Sequence, residues 1–241
     1  MLSKNVLKLI KSLYQKKYRI KNNLFIVEGV KGVNEFLNSN FTLYKLFCID
    51  EFEHTLSSEK IEIISVTELH KISKLNTPNE VLALFEISVP GKLQYDAFTI
   101  VLDGVNDPGN LGTIIRLCDW FGVRQLVCSK DTVDCFNPKV VQSTMGSLTR
   151  VSIIYTDLES FIKKASLPVY STMMSGENVY TSSLPEKAVV VLGNEANGVS
   201  SPVNTFIKNR LTIPKFGVAQ MTESLNVASA TAILLSEFKR S

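Results

Sequence analysis

Chemistry in the C-terminal part of this 241-residue chain must do without histidine, because the two histidines are His54 and His70. A Ser-His-Asp or Cys-His hydrolytic site is thereby excluded there, and a histidine-ligated zinc site has no ligands. Proton transfer has to rest on carboxylates, arginine, lysine, tyrosine or the substrate itself. Three clusters hold the residues that remain. The first is the turn-rich stretch Gly104 to Asn110, with Arg116 on the helix that follows. The second is Gly193-Asn194-Glu195-Ala196-Asn197-Gly198, directly after the apolar run 188–192. The third is Ser224-Leu225-Asn226, ahead of an alanine-rich helix, with Ser224 placed as its N-cap. Each has two readings. The first is a place where a phosphate or nucleotide approaches backbone N–H groups, or a tight structural turn. Glu195 is a site carboxylate or a helix-starting charge. Asn226 can hydrogen-bond a ligand or the backbone.

The elements that must position these clusters follow from the apolar spacing. The run 98–102 is short and β-branched and reads as a buried strand, and Leu111, Ile114, Ile115, Cys118 and Phe121 form a helical stripe stopped by Gly122. Further strands are expected at 125–128, 151–154, 168–171, 188–192 and 210–213, and helices at 111–121, 138–147, 158–165, about 201–208 and 224–239. Alternation at this spacing is that of parallel βαβ units. Gly104 and Gly109 have half of a phosphate-loop spacing, but Asn110-Leu111 stands where Lys-Ser/Thr is required, and no G-x-G-x-x-G occurs.

Before residue 90 a smaller α/β unit is expected. It comprises a helix over 1–18, strands at 24–27, 43–49, 61–66 and 81–87, helices at 30–37 and 68–74 with Thr67 as cap of the latter, and a helix or loop at 54–60. Ser88 to Asp96 reads as a linker. Residues 1–27 carry Lys4, Lys8, Lys11, Lys16, Lys17, Arg19 and Lys21 and no acid, although the net charge is only +3. That arm is a solvated helix face or a phosphate-contacting surface. A 45% hydrophobic fraction and 20% charged residues are ordinary for a globular protein, with no signal-like or membrane-length apolar run. Cys48, Cys118, Cys128 and Cys135 lack C-x-x-C spacing and read as reduced core thiols of a cytoplasmic protein.

Taken in order, N-x-G-x-x-x-R at Asn110, Gly112 and Arg116, then L-G-N-E-x-x-G at 192–198, then I-P at 213–214 followed by S-L-N-V at 224–227, resemble the three motifs of the SpoU/TrmH family. Its members are S-adenosylmethionine-dependent 2′-O-ribose RNA methyltransferases. The resemblance extends to 141–150 and, before residue 90, to KKYRIKNNLFIVEGVKGVNEFL and LNTPNEVLALF, which look like the family's small substrate-binding domain. The segment between Gly217 and Ser224 is longer than the family's connection, and Cys118 stands where alanine is usual.

The resemblance implies an α/β protein of two domains. Residues 1–90 would bind RNA, and 97–241 would form a parallel-sheet SPOUT domain with a deep trefoil knot, an exception to the rule against threaded chains. The donor S-adenosylmethionine would lie between loops near 172–176, 192–198 and 211–226, held by Thr172, Met173, Leu192, Gly193, Ile213 and Leu225. Asn110 and Arg116 would sit at the reacting end, with Glu195, Ser224 and Asn226 near the target nucleotide. Lys16, Lys17, Arg19 and Lys21 would contact RNA, ribosomal RNA ahead of transfer RNA. A homodimer is implied, with the site borrowing its partner's surface, and no metal, DNA or membrane. The chemistry would be in-line transfer to a ribose hydroxyl, with Arg116 stabilising oxyanion character. A non-catalytic RNA-binding protein of the same fold, and a nucleotide-binding α/β enzyme of unrelated chemistry, are the alternatives.

Overall fold

The computed structural model describes residues 1–50, 52, 58–89, 91–217 and 224–240. His54, Pro90 and the 218–223 stretch with Glu223 lie outside the described residues, as do 54–57 of the expected helix or loop; Ser58–Lys60 is a 3-10 turn. The chain divides into two compact units, one comprising 1–89 with 134–149 and the other 90–133 with 150–241.

The first unit begins with two helices, α1 (Lys4–Ser12) and α2 (Lys16–Asn22), where one was expected. The break follows from burial. Leu13 is fully buried in the apolar core with Ile10, Leu24 and Phe47, and the chain turns there. The Leu13 carbonyl, freed by the turn, accepts from Nη1 of Arg19 at 2.9 Å. After α2 come β1 (Leu24–Glu28), α3 (Val30–Leu37), β2 (Leu43–Cys48), β3 (Ile61–Ile63), α4 (Val66–Ile72) and β4 (Val81–Glu86). Their sheet has the order β1-β4-β2-β3, antiparallel except for β2 with β3. The cap of α4 is Ser65 rather than Thr67: Ser65 and Glu68 exchange side-chain and backbone hydrogen bonds as a capping box, which starts the helix earlier.

The second unit opens with β5 (Thr99–Asp103), α5 (Pro108–Trp120) and β6 (Gln125–Cys128). The chain then returns to the first unit through α6 (Pro138–Thr144) and a 3-10 turn at Ser147–Thr149. A continuous second domain over 97–241 was expected, and the side chains explain the difference. The Phe136 ring lies 4.7 Å from that of Phe25 on β1, and a Cβ added at Gly146 would meet Glu35 Cγ at 2.6 Å. Asp134 Oδ2 accepts from Nη2 of Arg19 at 2.6 Å and from Nε at 3.1 Å.

That ion pair corrects the reading of Arg19 as an RNA contact. Arg19 is only 2% exposed and its donors are taken up by Asp134 and Leu13, whereas Lys16, Lys17 and Lys21 stand exposed on the same helix. A planar five-donor guanidinium can satisfy both partners at once, which lysine cannot.

The second unit continues with β7 (Ser152–Tyr155), α7 (Leu158–Lys164), β8 (Val169–Asn178), β9 (Val189–Gly193), α8 (Ser201–Asn204), β10 (Asn209–Thr212) and α9 (Val227–Lys239). Its sheet runs β10-β8-β9-β5-β6-β7, with every neighbouring pair parallel. Strands β5 and β9 carry wholly apolar, β-branched cores, as a sheet covered on both faces requires. Strand β8 is irregular. Arg210 and Leu211 are consecutive on β10, yet they pair with Ser171 and Glu177, so 172–176 form a bulge within β8 that has no partner in the β10 ladder. All four cysteines are buried and not disulfide-linked, and burial pushes the Cys118 thiol far above its usual range. Among the described residues no helix is long and apolar enough to cross a membrane.

Replacing Asp134 by alanine would leave a buried guanidinium without its counter-charge. Asp134→Ala is expected to lower stability by about 3 kcal/mol in urea denaturation, whereas Lys16→Ala, on the exposed side of α2, should change it by less than about 0.5 kcal/mol.

Candidate active site

Parallel strands place all their carboxyl ends on one edge of the sheet, and in open α/β sheets that edge is where ligands bind. Here β5 and β9 are hydrogen-bonded neighbours with Leu102 opposite Leu192 and Asp103 opposite Gly193. The turns that follow, 104–107 and 194–198, are therefore adjacent. Asn194 joins them, its Nδ2 donating to the Gly104 carbonyl at 2.8 Å and its Oδ1 accepting from the Ala196 and Asn197 amides at 2.9 and 3.3 Å. Asp103 adds a second link, accepting from the Ser200 amide at 2.7 Å. Sequence reasoning assigned neither role. A short polar side chain beside a strand end was the available signal.

Helix α5 starts three residues earlier than its apolar stripe suggested. Asp107 caps it by accepting from the Asn110 amide at 2.7 Å, and Pro108 fills the first position, where a missing N–H costs nothing. Asn110 is thereby fixed in the first helical turn. Its Nδ2 donates to Glu195 Oε1 at 2.5 Å, and its Oδ1 accepts from Asn226 Nδ2 at 2.9 Å. Asn226 in turn caps α9, its Oδ1 accepting from the Ala228 and Ser229 amides at 2.9 and 3.3 Å. One residue from each of the three clusters is thus tied into a single chain of hydrogen bonds. The cap of α9 is Asn226 and not Ser224, and the helix begins at Val227, because an asparagine can cap with its oxygen while its amide still bridges to Asn110.

Arg116 stands apart from this chain. It lies six residues beyond Asn110 on α5, about 9 Å along the axis and about 240° around it, on the exposed side with Thr113 and Trp120. Among the described residues it makes no hydrogen bond or ion pair. Ser224 is exposed ahead of the Asn226 cap.

Of the six residues expected to hold the donor, Thr172 and Met173 begin the bulge in β8 after Ser171, Leu192 and Gly193 lie at the end of β9, and Ile213 and Leu225 lie in the segments after β10 and before α9. Thr172, Met173, Gly193 and Ile213 are half-buried and Leu225 is 49% exposed, so apolar and backbone surface remains for an adenine ring and a methionine chain. The Leu192 side chain is in the core and could offer only its backbone. These residues fit a nucleoside bearing a sulfonium. Gly193 has a second duty. A Cβ there would lie 1.9 Å from the Gly198 carbonyl carbon, so the 193–198 loop closes only over a hydrogen atom. The closure is held by paired backbone hydrogen bonds between Asn194 and Gly198 at 3.0 and 2.7 Å. Among the described residues no group of three or more His, Cys, Asp or Glu could hold a metal ion.

A model of the SpoU rRNA Methylase family matches residues 97–236, and one of the MRM3-like substrate binding domain matches residues 4–83. The 23S rRNA (guanosine(2553)-2′-O)-methyltransferase RlmP of Bacillus subtilis is 31% identical over 233 residues, covering 93% of this chain and 92% of that protein. Among solved structures, a TrmH-family protein from Porphyromonas gingivalis is 37% identical with a TM-score of 0.89, covering 100% of this chain and 99% of its own. An AdoMet-bound rRNA methyltransferase from Sinorhizobium meliloti is 29% identical with a TM-score of 0.86, covering 100% and 96%.

Two substitutions separate these roles. Asn226→Asp keeps the capping oxygen but loses the amide that reaches Asn110; its stability should stay within about 0.5 kcal/mol of the parent, while methyl transfer falls at least tenfold in a radiolabelled assay. Gly193→Ala should lower the melting temperature by several degrees, because the added methyl group forces the 193–198 loop open.

Proposed function

Because the chain belongs to the SpoU rRNA methylase family, we propose that it transfers the methyl group of S-adenosylmethionine to a ribose 2′-hydroxyl of ribosomal RNA, acting as a cytoplasmic homodimer. The observation that carries this reading is the hydrogen-bond chain Glu195–Asn110–Asn226, which joins the three polar clusters at the ligand edge of the parallel sheet. The rRNA specificity in the name of the Bacillus relative supports a ribosomal substrate.

In the reaction a ribose O–CH3 bond forms, the S–CH3 bond of the sulfonium breaks to leave a neutral thioether, and the hydroxyl proton passes to water. The bound donor supplies an activated methyl group, so the chain's work is alignment and charge stabilisation. Thr172, Met173, Leu192, Gly193, Ile213 and Leu225 hold the donor, chiefly through backbone. Asn110 and Asn226 fix the reacting end through amides whose hydrogen bonds restrict their rotation. Glu195 is the carboxylate within reach of that end, and Ser224 lies two residues before Asn226. The role proposed for Arg116 is to meet the adjacent phosphate and the oxyanion as it develops, an interaction worth more in the transition state than in the ground state. A homodimer accounts for its position. An arginine that faces away from Asn110 on its own helix is free to complete the partner's site.

The remaining parts follow the same reading. Residues 1–90 bind RNA, with Lys16, Lys17 and Lys21 on the exposed side of α2 meeting phosphates. Residues 97–241 bind the donor. The trefoil knot that the family resemblance implies is placed in the same part of the chain, which the family model matches over residues 97–236.

Titration calorimetry with S-adenosylmethionine and its demethylated product should give one site per chain. Arg116→Ala is expected to reduce transfer by more than about 100-fold while donor affinity and RNA retention stay within about twofold. Parallel loss of RNA retention would contradict the role given to Arg116.

A further inference from the structure

Strand β10 is an edge strand. Among the described residues it pairs only with β8, so its outer backbone edge is open. From Ala196 to Gly217 the sequence has no acidic residue, and Lys208, Arg210 and Lys215 fall along or just beyond this strand, all exposed. Aromatic rings punctuate the same stretch. Phe216 is 82% exposed, its ring 6.1 Å from that of Tyr180, and Phe206 is 40% exposed beneath the Lys163 ammonium at 4.1 Å. The one acid on the facing part of β8 is Glu177, opposite Leu211.

A phenylalanine left this open, beside a second ring and directly after Lys215, is poorly explained by stability. Burial of an aromatic side chain is favourable, and its exposure marks a contact surface. Cations at a spacing of two to five residues match the phosphates of an extended strand, and an exposed ring presents a face on which any base can stack. We propose that the β10 edge, with Phe216 as its stacking platform, is a second RNA-binding surface that holds a single-stranded segment flanking the methylated nucleotide. This rests on the RNA-methyltransferase reading, and it differs from that reading in placing RNA contacts outside the lysine-rich N-terminal helices. The occupant is a polyanion with exposed bases and not an apolar partner, because three exposed cations follow one another between the two rings in sequence.

The test uses the full-length protein and two fluorescently labelled probes, a 20-nucleotide single-stranded RNA of mixed sequence and the same sequence closed into a hairpin duplex. Replacing Lys208, Arg210 and Lys215 together by glutamine should weaken single-strand binding at least tenfold. The slope of log K against log salt should fall by about 2, at roughly 0.7 per phosphate contact. Phe216→Ala should weaken it about fivefold or more without changing that slope, and Phe216→Tyr should restore it. Hairpin binding should change less in every variant. The parent protein is titrated calorimetrically with S-adenosylmethionine in parallel, so that absence of donor binding by the parent would count against the enzyme reading separately. Unchanged single-strand affinity in the triple variant would overturn the proposal. So would a change of sedimentation coefficient in the triple variant or in Phe216→Ala, which would make this edge an interface between copies of the chain.

Discussion

The pairing of β5 with β9 is the constraint on which the site depends. These strands are consecutive in space but 85 or more residues apart in sequence, with Thr99 opposite Val189 and Asp103 opposite Gly193. Both strands are apolar on both faces, so burial drives the pairing, while the polar residues at the strand ends set its register: Asp103 accepts from the Ser200 amide at 2.7 Å. The ends of the two strands are level as a result. Once Asp103 and Gly193 are level, Asn194 can reach Gly104, and Glu195 is delivered to Asn110. Long-range apolar pairing thus places a polar triad whose own hydrogen bonds, worth about 1 kcal/mol each, could not have assembled it.

Helix ends complete the arrangement. Asn110 and Asn226 each occupy the N-terminal turn of a helix, α5 and α9, which contact one another. Asn226 is held by its capping hydrogen bonds and Asn110 by those to Glu195 and Asn226, so less side-chain freedom remains to be lost when substrate binds. In the first unit a buried guanidinium does comparable work: Arg19 holds the turn between α1 and α2 and the Asp134 segment together.

Much of this was legible in the sequence, and the exceptions have physical causes. The parallel βαβ alternation and the strand runs at 125–128 and 188–192 follow from apolar periodicity, which a buried sheet imposes strongly. The early start of α5 was missed because Asp107 and Pro108 read as turn residues when counted by composition, although together they are a cap and a first helical position. Arg19 was taken for a surface cation because charge patterning cannot see Asp134, which is 115 residues away. Phe136 and Gly146 similarly draw 134–149 out of a domain that looks continuous in sequence. The association of Asn110, Glu195 and Asn226 was suggested only by the ordered motifs, since no local pattern relates three loops separated by so many residues.

The most direct test is nucleoside mass spectrometry of 23S rRNA incubated with the purified protein and methyl-deuterated S-adenosylmethionine. The account requires the deuterated methyl on a ribose 2′-oxygen at a single nucleotide. Label on a base, or no label in RNA from a protein that binds the donor, would contradict it.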